Sequence, residues 1–111
     1  MTTRKSTATQ FVKVLESAFL RALAEPARLE ILKVLLLHGS ADIGSIASHL
    51  PTERSVVSRH LKVLLNANIV AVQREGRRRI YAIDGQAILR RFGAILEQAR
   101  SLASVCCPVG R

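Results

Sequence analysis

From Pro26 to Leu37 the chain places Leu29, Ile31, Leu32, Val34, Leu35, Leu36 and Leu37 so densely that a helix through them is apolar on nearly every side. Such a helix is stable only when other elements pack around it. Pro26 suits a first helical turn and Gly39 suits the residue just past the end, so the segment predicts a central helix with defined limits. The chain that must supply the surrounding shell has 111 residues. That is enough for one domain, 1–111, and too few for a large core, which favours self-association. Glu30 and Lys33 interrupt the apolar run from Leu29 to Leu37, whereas a membrane span needs about 18 or more continuous apolar residues. Arg4 and Lys5 are followed by Lys13, Glu16 and Arg21, a pattern without the apolar centre of a secretion signal. The expectation is a cytoplasmic protein with no membrane partner. In that compartment its only cysteines, Cys106 and Cys107, are reduced thiols rather than a structural staple.

Helical periodicity recurs on both sides of the central segment. Ser6, Thr7 and Thr9 offer caps for a first helix in which Phe11, Leu15, Ala18 and Ala22 recur at steps of three and four. Asp42 offers a cap for a short helix carrying Ile43, Ile46, Ala47 and Leu50, broken by Pro51 and Thr52. A further helix, about Glu53 to Asn66, has two faces. Val57, Leu61 and Leu64 point to the core, while Arg54, Ser55, Ser58, Arg59 and Lys62 form an unbroken stripe of hydrogen-bond donors on the other side. The β-branched run Ile69 to Val72, a Glu75-Gly76 turn and the run Arg79 to Ile83 predict a two-stranded hairpin tipped by Arg77 and Arg78. Asp84 offers a cap for a last helix whose Ile88, Phe92, Ile95, Ala99 and Leu102 alternate steps of four and three, a coiled-coil-like seam open to a partner. Pro108 disfavours helical geometry at Cys107, so this helix should end near Val105 and present the thiols on a short tail.

The formal net charge is +9 in a chain that is 49% hydrophobic, which separates it from a disordered basic tail. The charge is local. Between Arg54 and Arg79 stand seven basic residues against Glu75 alone. A polyanion is the natural partner, and a merely solvated basic surface is the plainer alternative. The order of elements bears on that choice: two short helices with a tight turn, the second bearing the donor stripe, then an arginine-tipped hairpin. This is the order of a winged helix-turn-helix, mainly α with a small β-hairpin, about five helices and a two-stranded wing. In such a fold the stripe enters the major groove of double-stranded DNA, where arginine reads guanine edges and serine and histidine add shorter contacts. Arg77 and Arg78 grip phosphate or enter the adjacent minor groove. No acid, base and nucleophile set converges, so an enzyme is not expected.

The run Val57-Ser58-Arg59-His60-Leu61-Lys62-Val63-Leu64 resembles the recognition-helix signature V-S-x-H-L-x-x-L of the ArsR/SmtB family of bacterial transcriptional repressors. Glu25-Pro26-Ala27-Arg28-Leu29-Glu30-Ile31-Leu32 is similar to the family's second-helix motif, and Arg77-Arg78-Arg79-Ile80-Tyr81 to its wing. The resemblance covers about residues 15 to 100 in order. It implies a homodimer built on the first and last helices that binds an inverted-repeat operator and is released by an inducer. It puts Arg54, Ser55, Ser58, Arg59 and His60 at base-reading positions. Glu53 stands where the family often has serine. For His60 a packing role between the two helices of the motif is the alternative, and His38 and His49 read as surface or helix-end residues.

Many members of that family sense ions through a Cys-Val-Cys motif on the third helix or through histidine and acidic ligands on the last. Here Asp42 and Gly44 hold the former positions, no histidine follows His60, and Glu97 is the only acid on the last helix beyond its cap. The remaining chemistry is Cys106 and Cys107. Adjacent thiols form a strained eight-membered disulfide but chelate a soft centre such as trivalent arsenic with little rearrangement, and Arg100 and Arg111 are placed to favour thiolate. Relatives in the arsenic-responsive branch use cysteines at differing places, including vicinal pairs near the C-terminus, so the resemblance implies a repressor without a permanently bound cofactor, induced by a trivalent arsenical. Inorganic arsenite is commonly held by three thiolates. One chain supplies two, which favours an organoarsenical such as methylarsenite. The alternatives are a redox or persulfide sensor of the same fold, a basic architectural nucleic-acid-binding module without inducer, and a pair of small apolar residues that simply finish the seam.

Overall fold

The structure is a computed structural model and describes residues 4–106. The chain runs α1 (Arg4–Leu15), α2 (Ala18–Leu23), α3 (Pro26–His38), α4 (Ile43–Ser48), α5 (Arg54–Asn66), β1 (Val70–Glu75), β2 (Val70's partner strand, Arg78–Ile83) and α6 (Gly85–Cys106). It is a winged helix-turn-helix, with α4 and α5 as the helix pair and β1 and β2 as the wing. The described residues hold six helices rather than about five, because the expected first helix is two. Ser17 takes extended backbone and its Oγ accepts the Leu20 N–H at 3.3 Å, which ends one helix and caps the next. The periodicity of Phe11, Leu15, Ala18 and Ala22 runs through this break unchanged, so it carries no sign of it. Ser6, Thr7 and Thr9 lie inside α1 rather than at its cap, Thr7 buried and Thr9 hydrogen-bonded to the Lys5 carbonyl.

Pro26 opens α3 and Gly39, at φ +83°, closes it. Ile31, Leu32, Val34 and Leu35 are buried with Phe19, Ile46, Val57, Leu61, Leu64 and Ile69 in one core. The shell around α3 is incomplete, however: Leu36 and Leu37 are 72% and 68% exposed. Among the described residues no element covers its outer flank. Asp42 caps α4 by accepting the Ser45 N–H at 2.9 Å, and Asp84 caps α6 by accepting the Ala87 N–H at 3.0 Å. The last helix packs along α1. Its seam is partly used by its own chain: Ile88 and Ile95 pack against the core, and Phe92 meets Phe19 edge-on at 5.2 Å. The strip left outward is Leu89, Phe92 and Leu96. No helix among the described residues is long and apolar enough to cross a membrane.

The exit from α5 fixes where the wing begins. Asn68 has φ +61°, its N–H donates to the Leu65 carbonyl, and the Ile69 N–H reaches back to the Leu64 carbonyl at 3.0 Å. This is a Schellman closure with asparagine in the left-handed position. It sends Ile69, fully buried, into the core and starts β1 one residue later. Asn68→Gly is expected to preserve stability. Asn68→Val should lower it by about 1–2 kcal/mol, the cost of a β-branched residue in left-handed backbone, as measured by chemical denaturation.

Candidate nucleic-acid interface

The polar face of α5 is held outward by what the opposite face buries. Val57, Leu61 and Leu64 are completely buried in the core, where α5 packs on α3, α4 and β1, and each contributes about 1.5–3 kcal/mol of apolar burial. With those three fixed, Arg54, Ser55, Ser58, Arg59 and Lys62 are all exposed. Glu53 takes extended backbone before the helix but its side chain makes no capping bond. The position often filled by serine is thus a cap by conformation only.

The wing is fastened to this helix pair by backbone. The Ala41 N–H donates to the Tyr81 carbonyl at 3.0 Å and the Tyr81 N–H returns to the Ala41 carbonyl at 2.8 Å, an antiparallel bridge between β2 and the segment leading into α4. The strand register pairs Val70 with Ile83 and Val72 with Tyr81 on the inner side, and Glu75 with Arg78 at the end. The connecting loop is therefore Gly76-Arg77 rather than Glu75-Gly76. Gly76 has φ +65° and no other loop residue has positive φ, the arrangement of a II′ turn. Arg77 is at the tip, while Arg78 is the first residue of β2.

Between the wing and the helix pair lies a cleft of about 350 Å³ lined by Arg54, Ser58, Arg77, Arg78 and Arg79, with Asp42 and Gly44 on its α4 side. Two contacts organise it. The Arg78 guanidinium donates through Nε to Asp42 Oδ2 at 3.1 Å. Arg54 lies across Gly44, where a Cβ would collide with its guanidinium. The Ser45 backbone N–H holds the Asp42 carboxyl below the usual carboxylate range, the Ser45 side chain and Arg78 adding to the effect. Asp42 thus stays a carboxylate throughout the neutral range. Arg79 lies over the Tyr81 ring, 5.8 Å from its centre.

His60 does not share the exposure of its neighbours. Its Nδ1 is 3.3 Å from an Arg28 guanidinium nitrogen; guanidinium only donates, so Nδ1 accepts and a neutral ring carries its proton on Nε2. Arg28 also donates to the carbonyls of Ala22, at 2.7 Å, and Arg21, at 3.2 Å. It therefore ties the end of α2 to α5 through His60. Nothing in its charge or spacing marks Arg28 for this role; it stands out only as part of the Glu25 to Leu32 motif. His38 and His49 sit at the ends of α3 and α4 with rings stacked 4.0 Å apart.

At the far end of the molecule Cys106 is exposed as the last residue of α6. An Arg4 guanidinium nitrogen donates to the Val105 carbonyl at 3.1 Å, binding the start of α1 to the thiol-bearing end of α6. Cys107 and Arg111 lie outside the described residues. Among those described, no cluster of three or more histidine, cysteine, aspartate or glutamate side chains is placed to hold a metal ion.

The family profile described as bacterial regulatory protein, arsR family, matches residues 25–72, from the start of α3 into β1. A crystal structure described as a possible transcriptional regulator for arsenical resistance superposes with a TM-score of 0.62 at 32% identity, covering 80% of this chain and 97% of that one. This chain belongs to the ArsR family. Among curated relatives it is 43% identical over 72 residues to the HTH-type transcriptional regulator Rv2034 of Mycobacterium tuberculosis, covering 63% of this chain and 66% of that protein. With the HTH-type transcriptional regulator CmtR of Mycobacterium bovis it is 40% identical over 77 residues, covering 69% of this chain and 64% of that protein. It thus spans just under two-thirds of the length of these two HTH-type regulators. A solution structure from Mycobacterium bovis, described as a homodimeric winged helix-turn-helix DNA-binding domain, superposes with a TM-score of 0.60 at 28% identity over 90% of this chain and 88% of that one.

Gly44 separates space from stability at this interface. Gly44→Ala should leave the melting temperature unchanged or raise it, since alanine in a helix is favoured over glycine by about 1 kcal/mol. The collision moves only the end of a flexible arginine. The Arg54 side-chain Nε–H resonance should shift, and an unshifted resonance would place that guanidinium elsewhere.

Proposed function

We propose that the chain is a cytoplasmic, homodimeric DNA-binding repressor. It reads double-stranded operator DNA with the outward face of α5 and leaves it when a trivalent arsenical binds Cys106 and Cys107. The observation that carries the first half is the split of α5: three completely buried apolar residues on one side, five exposed donors on the other, with the wing arginines brought beside them. Arg54 and Arg59 reach guanine edges, Ser55 and Ser58 fix register, and Lys62 and Arg77 hold phosphate. His60 accepts from Arg28 through Nδ1, which supports α5 from within and turns its Nε2 to the remaining contact. A homodimer is supported by the exposed strip of Leu89, Phe92 and Leu96 on α6 together with Val12 and Leu15 of α1. A half-site alone offers too few contacts for operator affinity.

The inducer reading draws on the exposed Cys106 at the end of α6 and on the relative described as a possible regulator for arsenical resistance. Two thiols and a methylarsenous acid exchange two As–O bonds for two S–As bonds, releasing two waters with no change of oxidation state. A monomethyl arsenical is saturated by two thiolates, whereas arsenite retains one valence. Because Arg4 joins α1 to this end of α6, drawing in the tail strains the helices on which the two DNA-reading halves would be spaced. The coupling required is about 1–3 kcal/mol, or roughly 5- to 150-fold in DNA affinity.

Two experiments test these halves. Arg54→Ala and Arg59→Ala should each cost about 1–3 kcal/mol on a duplex selected from a random pool and relax discrimination. Arg77→Ala should weaken selected and scrambled duplexes alike and flatten the salt dependence. Equal losses on both duplexes for Arg54→Ala would remove it from base reading. Methylarsenite should release wild-type protein at lower concentration than arsenite does, while Cys106→Ser and Cys107→Ser bind DNA normally and do not respond. Release of both variants would place the inducer site elsewhere, and release by peroxide in place of any arsenical would make the thiols a redox sensor.

A further inference from the structure

We propose that Asp42 is a specificity determinant: by holding Arg78 it withholds one wing cation from the DNA backbone, so that affinity depends more on what α5 reads. This inference rests on the DNA-binding reading of α5. Among the described residues, Asp42 is the one carboxylate lining the cleft between the wing and the helix pair, beside Arg54, Arg77, Arg78 and Arg79. Both its oxygens are engaged. Oδ1 accepts the Ser45 N–H and Oδ2 accepts the Arg78 Nε–H. The carboxylate is therefore fixed at the head of α4 and cannot swing aside with Arg78. Glu75 stands opposite Arg78 in the strand register, yet the ion pair is made across 36 residues of chain to Asp42.

Stability does not explain the pair. The Arg78 side chain is 60% exposed and that of Asp42 29%, and ion pairs in such surroundings contribute little to folding. Its effect falls on any phosphate that approaches the cleft. That phosphate meets Arg78 already neutralised, with a fixed negative charge beside it. Binding to arbitrary duplex DNA is almost wholly phosphate contact, each neutralised phosphate adding about 0.9 to the salt slope. Withholding one cation per subunit therefore weakens arbitrary binding most. A complex held in register by base contacts from α5 depends less on where one wing cation finds a phosphate.

The test uses the full chain, a duplex selected from a random pool, and a scrambled duplex of equal length, titrated at several salt concentrations. Asp42→Asn keeps the α4 cap, because asparagine caps as well as aspartate, and removes only the charge. Asp42→Ser does the same with a shorter side chain, and thermal melts confirm that each variant is folded. Both variants should bind the scrambled duplex about 3- to 10-fold more tightly, with a salt slope steeper by about one per subunit, and the selected duplex less than about 2-fold more tightly. Adding Arg78→Ala to Asp42→Asn should return scrambled-duplex affinity to the wild-type level. Unchanged or weakened binding to scrambled DNA, an equal gain on both duplexes, or a gain that survives Arg78→Ala would overturn the assignment. Wild-type protein that fails to distinguish the two duplexes would overturn the DNA-reading proposal beneath it, whereas a discriminating wild type with an indifferent Asp42→Asn overturns the role of Asp42 alone.

Discussion

The burial of Val57, Leu61 and Leu64 against α3 is the contact on which the rest of the interface depends. An amphipathic helix has no orientation of its own; it is rotated by what it must hide. These three residues lock α5 about its long axis and leave Arg54, Ser55, Ser58, Arg59 and Lys62 facing out together. Arg28 reinforces the same rotation from the other side, holding His60 and two carbonyls at the end of α2. The apolar density of α3 has its purpose here: it is the surface against which α5 is set, and the covered part of it is the part facing α5 and the wing.

The wing is the second part of the site, and it is aligned by two different kinds of bond. The backbone bridge between Ala41 and Tyr81 sets its distance from α4, and the Asn68 closure sets the direction in which it leaves α5. Side chains then complete the cleft: Arg78 on Asp42, Arg54 across Gly44. The two positions at which many relatives carry thiols for ion sensing are thus occupied by a carboxylate that engages the wing and a glycine that accommodates an arginine. In this chain that corner of the fold carries the Arg78–Asp42 ion pair, while Cys106 is the last residue of α6.

Much of this was legible in the sequence because it is local. The limits of α3 follow from Pro26 and Gly39, the caps at Asp42 and Asp84 from their spacing to the next turn, and the faces of α5 from a helical repeat. What was not legible depends on chain segments far apart or on competition between signals. The Arg78 to Asp42 pair joins residues 36 apart, and either charge read alone suggests only solvent or phosphate. The break at Ser17 is hidden because a helical repeat continues through it. The outward strip of α6 shifted from the expected seam because Ile88 and Ile95 found apolar partners in their own chain, which no repeat can reveal. His60 read as a base contact with packing as the alternative, and its Nδ1 contact with Arg28 joins residues 32 apart, which no local pattern reveals.

The central claim is that the outward face of α5, with the wing beside it, is the surface that meets DNA. The most direct measurement is a titration of isotope-labelled protein with a selected duplex, followed by backbone and arginine side-chain resonances. The account predicts large shifts across residues 54–62 and at Gly76 to Arg79, with small ones at Ala27, Glu30 and the buried side of α5. Shifts concentrated instead on the exposed leucines of α3, or an α5 face left unperturbed at saturation, would contradict it.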